Sequence, residues 1–263
     1  MNILEQQMIK LLKELKKNHF ATDLKMEFEA EGTRLDEAIK LKEIAERVGL
    51  GLKVKIGGGE AITDIFNAQI LGASGIVAPM IESSYALLKY INAVEKHFSE
   101  DLKKNIDFGF NLETLTAYRN LNAILKTKGV KRLTTITLGR VDLVGSMNLT
   151  KAEINSEKIF DIAKSLFIIL KRNGFKTAIG GGISAEAVPF IERLTYKLLD
   201  AFETRKVVFK MPKKIDQEKI KIGIQKAAEF ELLWLKNKKR YYSKICHEDD
   251  ERIIMLEKRK NKN

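Results

Sequence analysis

The stretch IDFGFNLET, from Ile106 to Thr114, is a β-rich run that ends in polar residues. The next such run, Leu133–Leu138, ends in the same way and leads into GRVDL, from Gly139 to Leu143. Segments with apolar residues at helical spacing separate runs of this kind along the chain. The predicted strands are Thr22–Glu29, Leu52–Ile56, Gly75–Met80, Ile106–Leu112, Leu133–Leu138, Lys176–Gly180 and Lys206–Lys210. Alternating strands and helices predict parallel strands, in a closed (β/α)8 barrel or an open doubly wound sheet.

The residues at the strand ends favour the barrel. At intervals of 24 to 39 residues, at or just past a strand's carboxyl end, stand Glu29, Lys55, Glu82, Glu113, Asp142, Gly181 and Arg205. An open sheet would spread them along a crevice, whereas a barrel gathers them at one mouth, where barrel enzymes have their active sites. We therefore predict an α/β TIM barrel in residues 1–212 and a basic C-terminal helix and tail in residues 213–263. No eighth strand is evident, since a helix, Ile3–Lys17, opens the chain.

The composition is that of a globular protein that needs no disulfide or metal to form its core. The chain has 263 residues, of which 44% are hydrophobic, 31% are charged and one is a cysteine, Cys246. A chain of this length buries about 70–75% of its unfolded surface. The longest apolar runs, such as Leu166–Leu170, are too short to span a membrane, and the amino terminus has no secretory signal. We therefore expect a cytoplasmic protein.

The net charge of +12 is concentrated near the carboxyl end. Residues 210–263 carry +7, which leaves +5 for the first 209 residues. A helix is predicted over Asp216–Lys236, to cover the base of the barrel or to pack on a neighbouring subunit. Lys236–Tyr242 has the basic and aromatic composition of a nucleic-acid patch, but four acidic residues follow from Glu248 to Glu251. A solvated end is therefore favoured over a nucleic-acid site.

Glu113 and Asp142 form the clearest candidate site. Neighbouring parallel strands lie about 4.8 Å apart, so carboxylates at matching strand ends could share one cation. Two carboxylates with water and a chelating substrate suit Mg²⁺ or Mn²⁺. The alternative is a pair of solvent-exposed acids at helix amino termini, where they favour the helix dipole.

Four motifs resemble the HpcH/HpaI aldolase and citrate lyase β-subunit superfamily, a group of metal-dependent carbon–carbon lyases with a pyruvate/phosphoenolpyruvate-type barrel. The motifs are MEFEA (Met26–Ala30), VAPMIES (Val77–Ser83), NLET (Asn111–Thr114) and GRVDL (Gly139–Leu143). They occur in the family's order, and the resemblance runs from about Asp23 to Phe209.

The resemblance implies an enzyme that forms or cleaves a 2-oxo acid similar to pyruvate or oxaloacetate, with an aldehyde or acyl partner. Mg²⁺ or Mn²⁺ would stabilise the enolate, because a bond beside a carbonyl breaks only if the developing negative charge is held. The resemblance makes Glu113 and Asp142 the metal ligands and places Asn111 beside them or on the substrate. It also implies a homo-oligomer.

Two positions depart from the family pattern. Ala30 stands where the aldolases have a histidine for proton transfer, and Lys55 stands where an arginine is expected to clamp the substrate. Glu29 is the preferred substitute for the histidine, with Glu31, Glu60 or a metal-bound water as alternatives. Lys55 either binds the substrate or forms a Schiff base with it, in which case no metal is needed. A third interpretation is a catalytically silent barrel that serves as a binding or assembly subunit.

Further substrate contacts are expected at the same rim. Two triple glycines, Gly57–Gly59 and Gly180–Gly182, each follow a strand and precede a helix, where backbone N–H groups attract carboxylate or phosphate. Two arginines at the rim are candidates for the distal anion, and with Lys55 they favour a small anionic substrate. The residues expected to bind substrate are Lys55, Glu82, Arg140, Gly181, Gly182 and Arg205.

Overall fold

The computed structural model describes residues 1–261 and contains eight strands that close a barrel. The strands are β1 (Ala21–Glu27), β2 (Gly51–Lys55), β3 (Gly75–Ala78), β4 (Asp107–Leu112), β5 (Thr135–Gly139), β6 (Lys176–Gly180), β7 (Ala201–Glu203) and β8 (Val207–Lys210). Neighbours from β1 to β7 pair in parallel, and β8 closes the barrel between β7 and β1. The predicted barrel with a C-terminal helical extension is confirmed.

Helices cover the outside of the barrel. They are α1 (Ile3–Asn18), α2 (Leu35–Glu46), α3 (Ile62–Ile70), α4 (Ser84–His97), α5 (Glu100–Lys103), α6 (Leu115–Arg119), α7 (Leu121–Leu125), α8 (Arg140–Ser146), α9 (Glu157–Arg172), α10 (Val188–Leu198) and α11 (Gln217–Lys260). Helix α1 begins at a capping box, in which the side chains of Asn2 and Glu5 each accept a hydrogen bond from the other's backbone N–H. Within residues 1–261, no helix combines the length and apolar character that crossing a membrane requires.

The last two strands form a hairpin, so the expectation of parallel strands throughout was wrong for β8. Strand β7 has only three residues, Ala201–Glu203, which is too short to show an alternating pattern, and the sequence missed it. The turn Thr204–Lys206 joins it to β8, and a turn of that length reverses the chain instead of allowing a crossover helix. Strand β8 is antiparallel to both neighbours. The turn places Arg205 at the carboxyl end of β7.

Strand β1 has an apolar face toward the helices and a polar face toward the barrel axis. Leu24 and Met26 are fully buried in the hydrophobic core. Lys25 and Glu27, at the alternate positions, line a cavity inside the barrel. The apolar core therefore lies between strands and helices, and the interior of the barrel near the carboxyl ends of the strands is polar.

Helix α11 is longer than the sequence pattern indicated. The prediction was Asp216–Lys236, but the helix runs over 44 residues, from Gln217 to Lys260. Its first half packs against α1 and α10 along the outer wall of the barrel, with Trp234 buried and Lys226 Nζ 3.0 Å from Glu14 Oε1. The second half is exposed, so its sequence lacks the periodic apolar face by which the first half was recognised.

Candidate active site

A cavity of about 790 Å³ opens at the carboxyl ends of the barrel strands. Its walls come from the ends of most strands, the loops that follow them and one face of α11. The charged side chains that line it are those of Lys25, Glu27, Glu29, Lys55, Glu113, Asp142, Lys151, Glu186, Glu203, Arg205 and Glu231. Seven are carboxylates and four are cationic, so the lining carries an excess of negative charge. The volume is typical of sites for small molecules.

Glu113 is the most deeply buried of these acids, with 2% of its surface exposed. It follows β4, and its Oε1 accepts a hydrogen bond from the N–H of Met80 at 3.0 Å. Met80 has a left-handed backbone, with φ of 51°, which is uncommon for a residue with a side chain. Oε2 accepts a hydrogen bond from Asn111 Nδ2 at 2.9 Å. Burial raises the pKa of Glu113 above its ordinary value, although Lys55 and these hydrogen bonds oppose the rise.

Lys55 ends β2 and lies between two carboxylates. Its Nζ is 2.7 Å from Glu29 Oε2 and 3.7 Å from Glu113 Oε2. Burial alone would lower the pKa of Lys55, but the charges of Glu113, Glu29 and Glu27 outweigh it and the pKa is raised. Lys55 is therefore a protonated point charge that links the loop after β1 to Glu113.

Asn111 and Asp142 line the same cavity. Asn111 is 4% exposed, and its Oδ1 is buried without a hydrogen-bond partner among residues 1–261. A buried amide oxygen without a partner is unfavourable, so we expect a ligand in the cavity to satisfy it. Asp142 is exposed in the first turn of α8, and its charge contributes to the raised pKa of Glu113.

These residues fit a divalent cation that prefers oxygen ligands. Mg²⁺ in proteins is held by one or two carboxylates and keeps several waters, and Glu113 and Asp142 are two such carboxylates in the cavity that Asn111 also lines. Residues 1–261 contain no cluster of three His, Cys, Asp or Glu side chains suited to a metal, so a cation here would need ligands from water or substrate. Such a cation would also offset the negative lining.

A buried ionic cluster at the floor of the cavity was not identified from the sequence. Lys25 Nζ lies 2.5 Å from Glu203 Oε1 and 3.2 Å from Glu27 Oε1. All three residues are less than 10% exposed. Burial opposes the charge of Lys25, but the two carboxylates raise its pKa well above the ordinary value. The alternation of apolar and charged residues along β1 could have identified Lys25 and Glu27 as facing the barrel interior. The strand that carries Glu203 has only three residues, which is too short to recognise from the sequence.

Arg140 does not line the cavity that residues 1–261 form. It is fully buried, and its guanidinium donates to the carbonyl oxygens of Gly181 and Gly182 and to Asn155 Oδ1, at 2.7–3.2 Å. Burial lowers the pKa of Arg140 to about 10, so it remains charged at neutral pH. This geometry supports a role in holding the loop Gly180–Gly182 and does not support the expected contact with substrate.

Gly181 lines the cavity in a conformation that only glycine adopts readily. Its φ is +75°, and an added Cβ would lie 2.7 Å from Val141 N. We expect Gly181→Ala to lower the free energy of unfolding by at least about 1–2 kcal/mol, measured by urea denaturation. The control is Gly145→Ala, whose Cβ would meet nothing within 4 Å. Equal effects of the two substitutions would contradict the role of the Gly181 conformation.

Arg205 and Glu82 lie at the rim with partners of their own. Arg205 lines the cavity, and its Nε donates to Glu31 Oε1 at 3.0 Å. Lys206 Nζ is 2.5 Å from the other oxygen of Glu31, so this carboxylate ties the β7–β8 turn to the loop after β1. Glu82 is outside the lining formed by the described residues, and it accepts a hydrogen bond from Thr114 Oγ1 at 2.6 Å.

Most of the residues expected from the sequence meet in this one cavity. Those that line it are Glu29, Lys55, Asn111, Glu113, Asp142, Gly181, Gly182 and Arg205. Fold and site together define a closed α/β barrel with an acid-rich cavity at its carboxyl mouth, the end at which barrel enzymes bind their substrates.

Solved structures share this fold. No family model and no curated protein matches the sequence. An HpcH/HpaI aldolase/citrate lyase family protein from Burkholderia cenocepacia J2315 is similar with a TM-score of 0.62 at 12% identity, over 92% of this chain and 90% of its own. The HpcH/HpaI aldolase from Desulfitobacterium hafniense DCB-2 has a TM-score of 0.60 at 12% identity, and the match covers 77% of this chain and 82% of the aldolase. Citrate synthase SbnG has a TM-score of 0.57 at 14% identity, and the match covers 73% of this chain and 79% of SbnG. These structures confirm the fold that the resemblance implied.

Proposed function

We propose that the protein is a carbon–carbon lyase or aldolase that forms or cleaves a 2-oxo acid with the help of Mg²⁺ or Mn²⁺. One observation carries the proposal: Glu113 and Asp142, after the adjacent strands β4 and β5, line one cavity together with Asn111, whose Oδ1 has no hydrogen-bond partner among residues 1–261. The fold shared with HpcH/HpaI aldolases and citrate synthase SbnG supports the class of reaction.

Glu113 and Asp142 are the residues that would hold the cation, with Asn111 beside them. When bound, the cation supplies positive charge that stabilises the negative charge developing on the carbonyl oxygen of the 2-oxo acid. The excess of carboxylates in the lining supports this assignment, because a negative cavity without a cation repels an anionic substrate.

Lys55 and Glu29 are assigned to substrate binding and proton transfer. Lys55 is held in its protonated form, so it can pair with the carboxylate of the 2-oxo acid. The side chain of Glu29 is 29% exposed and adjoins Lys55, and we assign it as the proton acceptor in place of the histidine absent at Ala30. Arg205, at the rim, is assigned to a distal anionic group of the aldehyde or acyl partner.

A Schiff-base aldolase requires a neutral lysine amine. The ion pairs of Lys55 with Glu29 and Glu113 favour the ammonium form, so the geometry supports the metal-dependent route over this one. Borohydride reduction in the presence of pyruvate checks the alternative. We expect no covalent pyruvate adduct on Lys55 by mass spectrometry.

Removal of divalent cations is expected to stop the reaction. Exchange of the C3 hydrogens of pyruvate with deuterium, followed by NMR, reports enolate formation without any need to know the second substrate. We expect exhaustive chelation to abolish this exchange and Mn²⁺ to restore it. Calorimetry should show that oxalate, which has the shape and charge of the pyruvate enolate, binds only after Mn²⁺.

Exchange that persists after chelation would contradict the metal-dependent mechanism. Failure of both Mn²⁺ and oxalate to bind would instead favour the catalytically silent barrel.

We extend the proposal to a cytoplasmic enzyme, because Cys246 is the only cysteine and is exposed without a disulfide partner.

A further inference from the structure

The second half of α11 projects away from the barrel. Near the middle of this helix, the hydroxyl of Tyr242 donates to Glu37 Oε1 of α2 at 2.8 Å. From Ser243 to Asn261 every residue except Met255 is exposed. We call residues 243–261 the projecting segment, and it is about 28 Å long. The segment continues the packed first half of α11, so its backbone is already helical, but its apolar side chains have nothing to pack against unless a partner covers them.

One face of the projecting segment carries a row of four residues at heptad spacing, with an apolar residue at each end and two charged residues between them. Ile245, Asp249, Arg252 and Leu256 follow one another at spacings of four, three and four residues, which is the spacing of a and d positions. Ile245 and Leu256 are 45% and 47% exposed, and Ile253, which is 51% exposed, lies beside them. Within residues 1–261 no other element covers these apolar side chains. We call this face the seam.

The two charged residues at the centre of the seam determine which orientation of a second copy fits. Parallel pairing in register would place Asp249 against Asp249 and Arg252 against Arg252, and like charges at such positions destabilise a coiled coil. Antiparallel pairing about the midpoint between Asp249 and Arg252 places each aspartate opposite an arginine. The same register places each Ile245 opposite a Leu256, so charge and apolar surface match together.

We propose that the projecting segment pairs with the same segment of a second copy of this chain as a short antiparallel coiled coil. The seam is complementary to itself in this orientation, which is the reason for choosing a second copy as its partner. The interface lies outside the cavity, so it does not depend on the proposed lyase activity. This interface would be one contact between the subunits of the homo-oligomer that the sequence led us to expect.

Sedimentation equilibrium of the full chain at micromolar concentrations tests the pairing. We expect a reversible self-association that Arg252→Asp weakens by about tenfold or more, because Asp249 then faces an aspartate. The double variant Asp249→Arg/Arg252→Asp exchanges the two charges and should return the dissociation constant to within about threefold of the original. Lys258→Asp is the matched control, since it makes the same charge change on the outer face of the helix and should leave association intact.

A chain that is monomeric at all these concentrations would overturn the proposal and leave the seam to a different partner. Association that Arg252→Asp leaves unchanged, or that the double variant fails to restore, would overturn it as well. Cys246 reports the orientation, because antiparallel pairing separates the two copies of this residue by about 14 Å along the helix axis. A Cys246 disulfide that forms between the two copies within the associated species would overturn the antiparallel register, in which the two thiols lie too far apart to bond.

Discussion

Replacement of Glu113 by glutamine is expected to slow the exchange of the pyruvate C3 hydrogens by about 10²–10³-fold or more. Glutamine keeps the shape of the side chain and can still accept the hydrogen bond from the N–H of Met80, so we expect the fold to persist. It removes the negative charge that would hold the cation and that faces Lys55 at 3.7 Å. Calorimetry of the same variant should show the loss of Mn²⁺ binding.

The matched control is Glu14→Gln, which makes the same change on α1, where Glu14 pairs with Lys226 on the outside of the barrel. We expect it to leave both the exchange rate and the affinity for Mn²⁺ unchanged. Full exchange activity in Glu113→Gln would exclude Glu113 as a ligand. Loss of exchange with unchanged Mn²⁺ affinity would assign Glu113 to proton transfer instead.

Arg140→Ala is expected to lower the free energy of unfolding by about 3–5 kcal/mol, measured by urea denaturation. The substitution leaves a cavity where a fully buried side chain was, and it leaves the carbonyl oxygens of Gly181 and Gly182 without their donors. Because those glycines line the active-site cavity, we expect activity at low urea concentration to fall together with stability.

Arg172→Ala is the control for this prediction, because Arg172 is an exposed arginine at the end of α9 and should change stability by less than about 0.5 kcal/mol. An Arg140→Ala variant that is as stable as the original protein, but binds oxalate weakly in the presence of Mn²⁺, would contradict the structural role. It would restore Arg140 as the substrate contact that the strand-end pattern first suggested.

The barrel could be predicted because its repeat is local. Each strand and the helix after it carry their own periodic pattern, and polar residues such as Glu113 mark the point where a strand ends. The β7–β8 hairpin escaped prediction because β7 has only three residues, too few to show a periodic pattern of their own. The projecting segment escaped because exposed residues leave no burial pattern to read.

The site was predicted in part for the same reason. Asn111, Glu113 and Asp142 follow successive strands, and parallel strands bring matching ends together, so their convergence on one cavity follows from their order along the chain. The floor cluster could not be found in this way. Glu203 reaches Lys25 across the closure of the barrel, between segments that are 178 residues apart.

The sequence by itself determined a strand-and-helix repeat that closes into a barrel, and the acidic strand ends that gather at its mouth, because both depend on periodicity and on the fixed geometry of parallel strands. Only the tertiary structure decided which charges meet a partner. It buried the Arg140 guanidinium among backbone carbonyls, held Lys55 between Glu29 and Glu113, and gave Asn111 Oδ1 no donor from residues 1–261. The physical reason is that burial and pairing depend on distances between distant segments, which no local pattern encodes.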